Sequence, residues 1–203
     1  CAVVLIGALT VGDSVRSTLA DLAHKRLGKG EAAILSADGF FQENLAERIQ
    51  KSLMNPKIMV APVVLTRGTL STPDGSLRVN NIQVLGVDDR FWRLAPEFQR
   101  TPMGKGPFLK PKAWHGDSFW VNRRLGHRLS KNRKERFILR MEEPSLFSRD
   151  APMSGERENE FVTMNQKLGE VVPPEGFGSF GLHGNQREPL TIFVSLEALQ
   201  RKL

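Results

Sequence analysis

The opening run Cys1 to Val11, CAVVLIGALTV, carries no charge, and behind it the apolar positions settle into one helical period. Val15, Leu19, Leu22, Ala23 and Leu27 recur at the three- and four-residue spacing of a single helix face, and Gly28 supplies a C-terminal stop. Asp13 or Ser14 can cap such a helix. The uncharged run is too short to cross a bilayer, which takes about 20 apolar residues, and it has no basic leader of the kind a signal peptide carries. It therefore reads either as a buried strand or as the outer end of a membrane-crossing helix. The second reading predicts one continuous or barely kinked helix through residues 5 to 27.

Gly12-Asp13-Ser14 after an apolar run also matches the nucleophile block of a Gly-Asp-Ser hydrolase, with Ser14 at a strand-to-helix elbow. Serine needs a base and an oxyanion site to react. The one Asp-x-x-His is Asp21-Leu22-Ala23-His24, and ten helical residues set Ser14 and His24 about 15 Å apart along the axis. The Asn of Gly184-Asn185 is followed by Gln186 where such enzymes carry Asp. A helix cap is the better reading, and the hydrolase stands third among the functional readings.

Downstream, Ala32 to Ser36 is short enough for a strand. Phe41, Leu45, Ile49 and Leu53, four apart, predict a second amphipathic helix. Residues 57–66 and 76–88 read as strands joined across Thr72-Pro73-Asp74-Gly75, which has turn residues where a turn wants them. After Asp89 the chain from Phe91 to Pro111 carries four prolines and two glycines, the mark of an irregular excursion. Asp117-Ser118 can cap a helix with Val121, Leu125 and Leu129 on one face. Alternation of Phe137, Leu139 and Met141 predicts a strand, 142–160 a polar surface loop, 190–194 a strand and 196–203 a last helix.

A net charge of +7 and a pI near 9.9 favour an acidic partner, be it nucleic acid, an anionic lipid surface or an acidic protein. The charge concentrates in Arg123-Arg124, Arg128, Lys131, Arg133-Lys134 and Arg136, but the interleaved aromatics of a single-strand binder are missing, so nucleic acid is not the expected partner. Trp92, Trp114, Phe119 and Trp120 cluster in the middle third, where they serve either a local core or a binding surface. Arg123, Arg124 and Arg128 together with these four aromatics are the candidate contact residues. Cys1, the single cysteine, allows no intramolecular disulfide. His24, His115, His127 and His183 have no second ligand at a useful spacing, so no metal site, cofactor or catalytic residue is expected. Gly176-Phe177-Gly178-Ser179-Phe180-Gly181 spells G-x-G-x-x-G, but it follows Pro173-Pro174 instead of a strand, so it reads as a turn with packed phenylalanines.

Several segments together resemble one family. ALTVGDSVRSTLADLAHKRLGKGEAAILSADGFF is similar to the junction between the first transmembrane helix and the external domain of FtsX-like, MacB-type ABC transporter permeases. VLGVDDRFWRL, then FWVNRRLGHRLS with its Asn-x-x-Leu helix, FILRMEEPSL and IFVSLEALQRKL follow in that family's order. Arg133-Lys134-Glu135 departs from the Gly-Asp turn that relatives place before the Leu-Arg strand, so no contact made there carries over. The resemblance implies an α+β fold with a porter-like mixed base (helix-strand-helix-strand-strand plus a C-terminal strand-helix) and an inserted second α+β subdomain. Residues 1–11 would end the first transmembrane helix, 12–88 and 170–203 would form the base, and 89–169 the insert. It further implies a cell-membrane protein with this domain on the extracytoplasmic, periplasmic side, without chemistry of its own. Its partners would be a cytoplasmic ABC ATPase, a second permease subunit and a periplasmic adaptor or lipoprotein. The alternative is a stand-alone extracytoplasmic domain binding an anionic or lipidic ligand.

Overall fold

The structure, a computed structural model, describes residues 2–36, 39–42, 44–55, 57–95, 117–130, 136–142, 161–182 and 187–202, with the backbone alone for 2–9 and 142. The fold is α+β. Six strands, β1 (Val63–Ser71), β2 (Arg78–Val87), β3 (Ser118–Asn122), β4 (Arg136–Glu142), β5 (Phe161–Val172) and β6 (Thr191–Ser195), close into a barrel in the order β1-β2-β6-β3-β5-β4. The pairs β2/β6 and β3/β5 are parallel, and all other neighbours are antiparallel. Among the described residues five α-helices accompany it: α1 (Ala2–Leu27), α2 (Leu45–Ser52), α3 (Asp89–Arg93), α4 (Arg123–Arg128) and α5 (Leu196–Gln200).

The β1/β2 hairpin follows from its turn chemistry. Asp74 Oδ1 accepts from the Ser76 amide at 3.2 Å and the Ser76 hydroxyl at 2.9 Å, while Thr72 Oγ1 accepts from the Leu77 amide at 3.0 Å. These side-chain bonds replace the ladder where the chain reverses. Further along, β2 holds one more residue than β1 between Gly68 and Leu70, and Asn81 takes up the extra length with a left-handed φ of 54°.

Two apolar layers hold the barrel. Inside, Leu70, Ile82, Val84, Phe119, Phe137 and Leu139 pack with Ile192 and with Leu125 and Leu129 at the α4 end, all fully buried. α5 approaches β2 closely, because Leu199 Cδ2 lies 2.6 Å from where a Cβ on Gly86 would stand. Outside β2, β6 and β3 a second layer forms from Leu85, Val87, Phe91, Trp92, Trp120, Phe177, Phe180 and Phe193. β3, β6 and β2 from Val84 onward are buried on both faces and read as short apolar runs. By contrast β4 and β5 alternate buried and exposed positions, so their outer face meets solvent.

α1 is an unbroken helix of 26 residues, about 39 Å long, that stands off the barrel. Every residue from Thr10 to Lys25 is exposed, so the stripe Val15, Leu19 and Leu22 faces solvent instead of the core. His24, Lys25 and Arg26 in its last turn complement the negative end of the helix dipole. Gly28 ends it with φ 57°, and the Lys29 amide donates to the Leu94 carbonyl at 2.9 Å. A Cβ on Gly28 would stand 2.5 Å from that carbonyl oxygen and 2.8 Å from the Phe177 ring, so only glycine lets the helix base seat there. Among the described residues no helix is long and apolar enough to cross a membrane.

Several expectations are corrected. Residues 32–36 form no strand, because no neighbouring strand takes them up and Ile34 and Leu35 are exposed. Residues 118–122 are a strand, not the start of a helix capped by Asp117-Ser118; the helix starts at Arg123 and its cap is Asn122, whose Oδ1 accepts from the Leu125 amide. Residues 161–172, for which the sequence reading proposed no element, form the longest strand. The second helix is shorter than the four-residue spacing implied, starting at Leu45. From the stretch 89–169 come β3, β4 and most of β5, all within the same barrel as β1, β2 and β6. The excursion at 96–111 and the loop at 143–160 lie outside the described residues.

Candidate contact surfaces

The aromatic candidates are placed by the outer apolar layer. Trp92 packs against Trp120 with ring centroids 5.6 Å apart and against Phe193 at 5.2 Å. Phe119 points the other way, into the barrel, edge-on to Phe137 at 5.7 Å. All three are buried, with Trp92 the most accessible at 9%. They cement the fold, and the rings present no face to a ligand. Trp114 lies outside the described residues.

The arginine candidates behave differently. Asn122 caps α4 and is itself 1% exposed, with its Nδ2 donating to the Pro189 carbonyl at 2.8 Å and its Oδ1 accepting from the Thr191 amide at 3.3 Å. That rigid base fixes where Arg123, Arg124 and Arg128 emerge. All three are exposed on α4. Arg123 reaches Glu175 at 4.0 Å, with both side chains more than half exposed, and Arg124 donates to the Glu188 carbonyl. Two of the three thus already hold partners in the chain. Lys131, Arg133 and Lys134 lie outside the described residues; Arg136 begins β4 on the neighbouring outer face.

A second basic group, not recognised in the sequence, occupies that outer face. On the bare side of β1, β4 and β5 stand Arg67, Arg136, Arg140 and Lys167, all exposed. Arg136 lies directly across from Lys167, and Arg140 lies across from Thr69 on one side and Thr163 on the other. The signal was present in the spacing of Arg136 and Arg140, both outward in a strand of period two, but Arg67 and Lys167 join them only through pairings remote in sequence.

The catalytic readings fail on geometry. Ser14 lies mid-helix in α1, exposed, and its carbonyl accepts from Thr18 Oγ1 at 2.8 Å. Ser14 thus stands within a helix and not at the strand-to-helix elbow expected of a Gly-Asp-Ser hydrolase. In the glycine-rich stretch, a short 3-10 turn at Pro174–Gly176 leads into Phe177 at a left-handed φ of 76°, and the Phe177 and Phe180 rings are buried against Phe91. This is a packed turn, with no helix start to receive a phosphate. Among the described residues no group of three His, Cys, Asp or Glu side chains converges on a metal position. Among the described residues, Asp74 has its carboxyl held below its ordinary range, chiefly by the Thr72 hydroxyl and then by the Ser76 amide and hydroxyl. It is an exposed turn residue held by the Thr72 and Ser76 side chains.

No known protein family matches the chain, and no curated protein matches it.

Proposed function

We propose that this chain is the extracytoplasmic domain of an FtsX-like, MacB-type ABC transporter permease. In this reading it couples ATP hydrolysis on the far side of the membrane to movement or release of a lipoprotein, lipid or drug. α1 carries the reading: an unbroken helix whose uncharged N-terminal third precedes an exposed stem and whose far end is seated on the barrel at Gly28. A helix of that kind, continuing a membrane-crossing segment, would pass a displacement to the barrel without an intervening loop. The bare apolar side chains Val11, Val15, Leu19 and Leu22 are then explained as contacts to neighbouring helices of the permease or to a second subunit. In this reading the β1/β2 hairpin, β6 and α5, together with α2, would make the porter-like base. The domain's work would be mechanical, with no chemistry of its own.

The test is recovery of the full-length protein from its host membrane and identification of what accompanies it. An ABC ATPase in the complex, together with a second copy of the permease, supports the reading. Loss of the ATPase under conditions that keep a control transporter assembled overturns it, and the stand-alone binding domain then takes its place.

A further inference from the structure

The outer face of β1, β4 and β5 carries four cations, and their arrangement costs the isolated domain stability. Arg136 and Lys167 face each other across an antiparallel pair, and like charges so placed repel. Arg67 and Arg140 lie near one another at the other end of the same face, Arg67 two residues along β1 from Thr69, the partner of Arg140. Among the described residues no carboxylate pairs with any of the four; the ion pairs present lie elsewhere, at Asp88, Glu175 and Glu197. The remaining outer faces are treated differently, since β2, β6 and β3 are covered by the aromatic layer. This face is left both bare and positively charged.

We infer that the β1/β4/β5 face docks an acidic, extended polypeptide segment of a partner protein. Charge complementarity sets the sign of the occupant. The spacing sets its class. Arg136 and Arg140 are four strand residues apart, about 13 Å at about 3.3 Å per residue, and an extended segment with acidic side chains at positions i and i+4 repeats that interval. Between the two cationic ends lie Ser71 and Asn165, on either side of Ile138, whose hydroxyl and side-chain amide can bond to a passing backbone. A nucleic acid strand carries a charge at every nucleotide and favours aromatic platforms, neither of which fits a neutral gap flanked by two cation pairs. A planar array of lipid headgroups meets a convex barrel wall along only a narrow strip. The closed barrel offers no strand edge here, so recognition runs through side chains and not through strand addition. The inference stands apart from the permease reading: it names a face and a partner chemistry whether or not an ATPase is attached.

The experiment measures binding of a fluorescent oligoglutamate peptide to the whole chain by anisotropy, with vesicles rich in phosphatidylglycerol as a parallel probe. Two charge-reversed variants with equal net charge are compared: Arg136→Glu with Lys167→Glu on the sheet face, and Arg124→Glu with Arg128→Glu on α4. Binding of the peptide should fall roughly tenfold or more in the sheet-face variant and stay within about twofold in the α4 variant. Equal losses in both would overturn the inference, because the peptide would then be reading net charge alone. Vesicle binding that depends on the sheet face, with no peptide binding, would overturn it too. Should the reversed sheet-face variant unfold, Arg136→Gln with Lys167→Gln removes the charge without opposing two carboxylates, and the same comparison applies.

Discussion

Asn122 Nδ2 donates to the Pro189 carbonyl at 2.8 Å, joining the end of β3 to the approach of β6 across 67 positions of sequence. The same side chain caps α4 and accepts from the Thr191 amide, so three backbone groups of two distant segments close on one buried amide. A cap, a barrel seam and the placement of the α4 arginines depend on it together.

Replacing Asn122 by Ala should therefore cost about 3 kcal/mol, since it removes a helix cap and leaves buried amides and a carbonyl unpaired. Urea unfolding followed by circular dichroism would show the midpoint falling with little change in slope. A loss below about 0.5 kcal/mol would mean that water replaces the side chain at this seam.

Gly28→Ala tests the seat of α1. The left-handed φ and the approach of the Leu94 carbonyl leave no room for a methyl group, and about 1–2 kcal/mol of local stability should go. Hydrogen exchange at the Lys29 amide reads the seat directly. Its protection should drop while the amides of β2 and β6 stay protected.

Asp74 makes the β1/β2 turn sensitive to acid. Its folded carboxyl titrates below the ordinary 3.8, so the turn's contribution is fully present above that value and is lost as pH falls through the lower, folded value. Asp74→Asn should lower the melting temperature near neutrality, and the gap from the parent should shrink as the solution is taken below pH 3.8. A gap independent of pH would assign the effect to the lost geometry and not to the charge.

Polar replacement of the α1 stripe should change association and little else. Val11, Val15, Leu19 and Leu22 are 64%, 52%, 41% and 37% exposed, so changing all four to Gln removes solvent-facing apolar surface. Light scattering after size exclusion should show less self-association of the isolated chain, with an unchanged near-ultraviolet spectrum from the buried tryptophans. A changed spectrum would place the stripe against the barrel.

Elements that depend on local chemistry were legible in the sequence. The stripe behind Cys1 to Val11 anticipated one long helix, Thr72 to Gly75 anticipated the hairpin, and Phe137, Leu139 and Met141 anticipated an alternating strand. β3 was misread because Val121, Leu125 and Leu129 keep a spacing of four across a strand-to-helix junction, and all three are buried for different reasons. β5 was missed because its inward positions include Gln166 and its outward ones Phe161 and Gly169, which blurs the alternation. Closure of the barrel rests on β1 meeting β4 and β2 meeting β6, pairings that no local period announces. The cationic face was hidden for the same reason, as its members come from three strands. Trp92 and Trp120 were noticed for their chemistry, and both are packed in the outer apolar layer.

The position of β6 has a consequence for the birth of the protein. It is the last strand in sequence, yet it sits between β2 and β3. Until residues 191–195 leave the ribosome, the other five strands can pair only as an open sheet, β2-β1-β4-β5-β3, whose edges β2 and β3 stay open to wrong partners. Closure of the ring thus waits for the last of its six strands. A nascent chain stalled before Thr191 should be protease-sensitive throughout its strands, and a few further codons should make it resistant in one step.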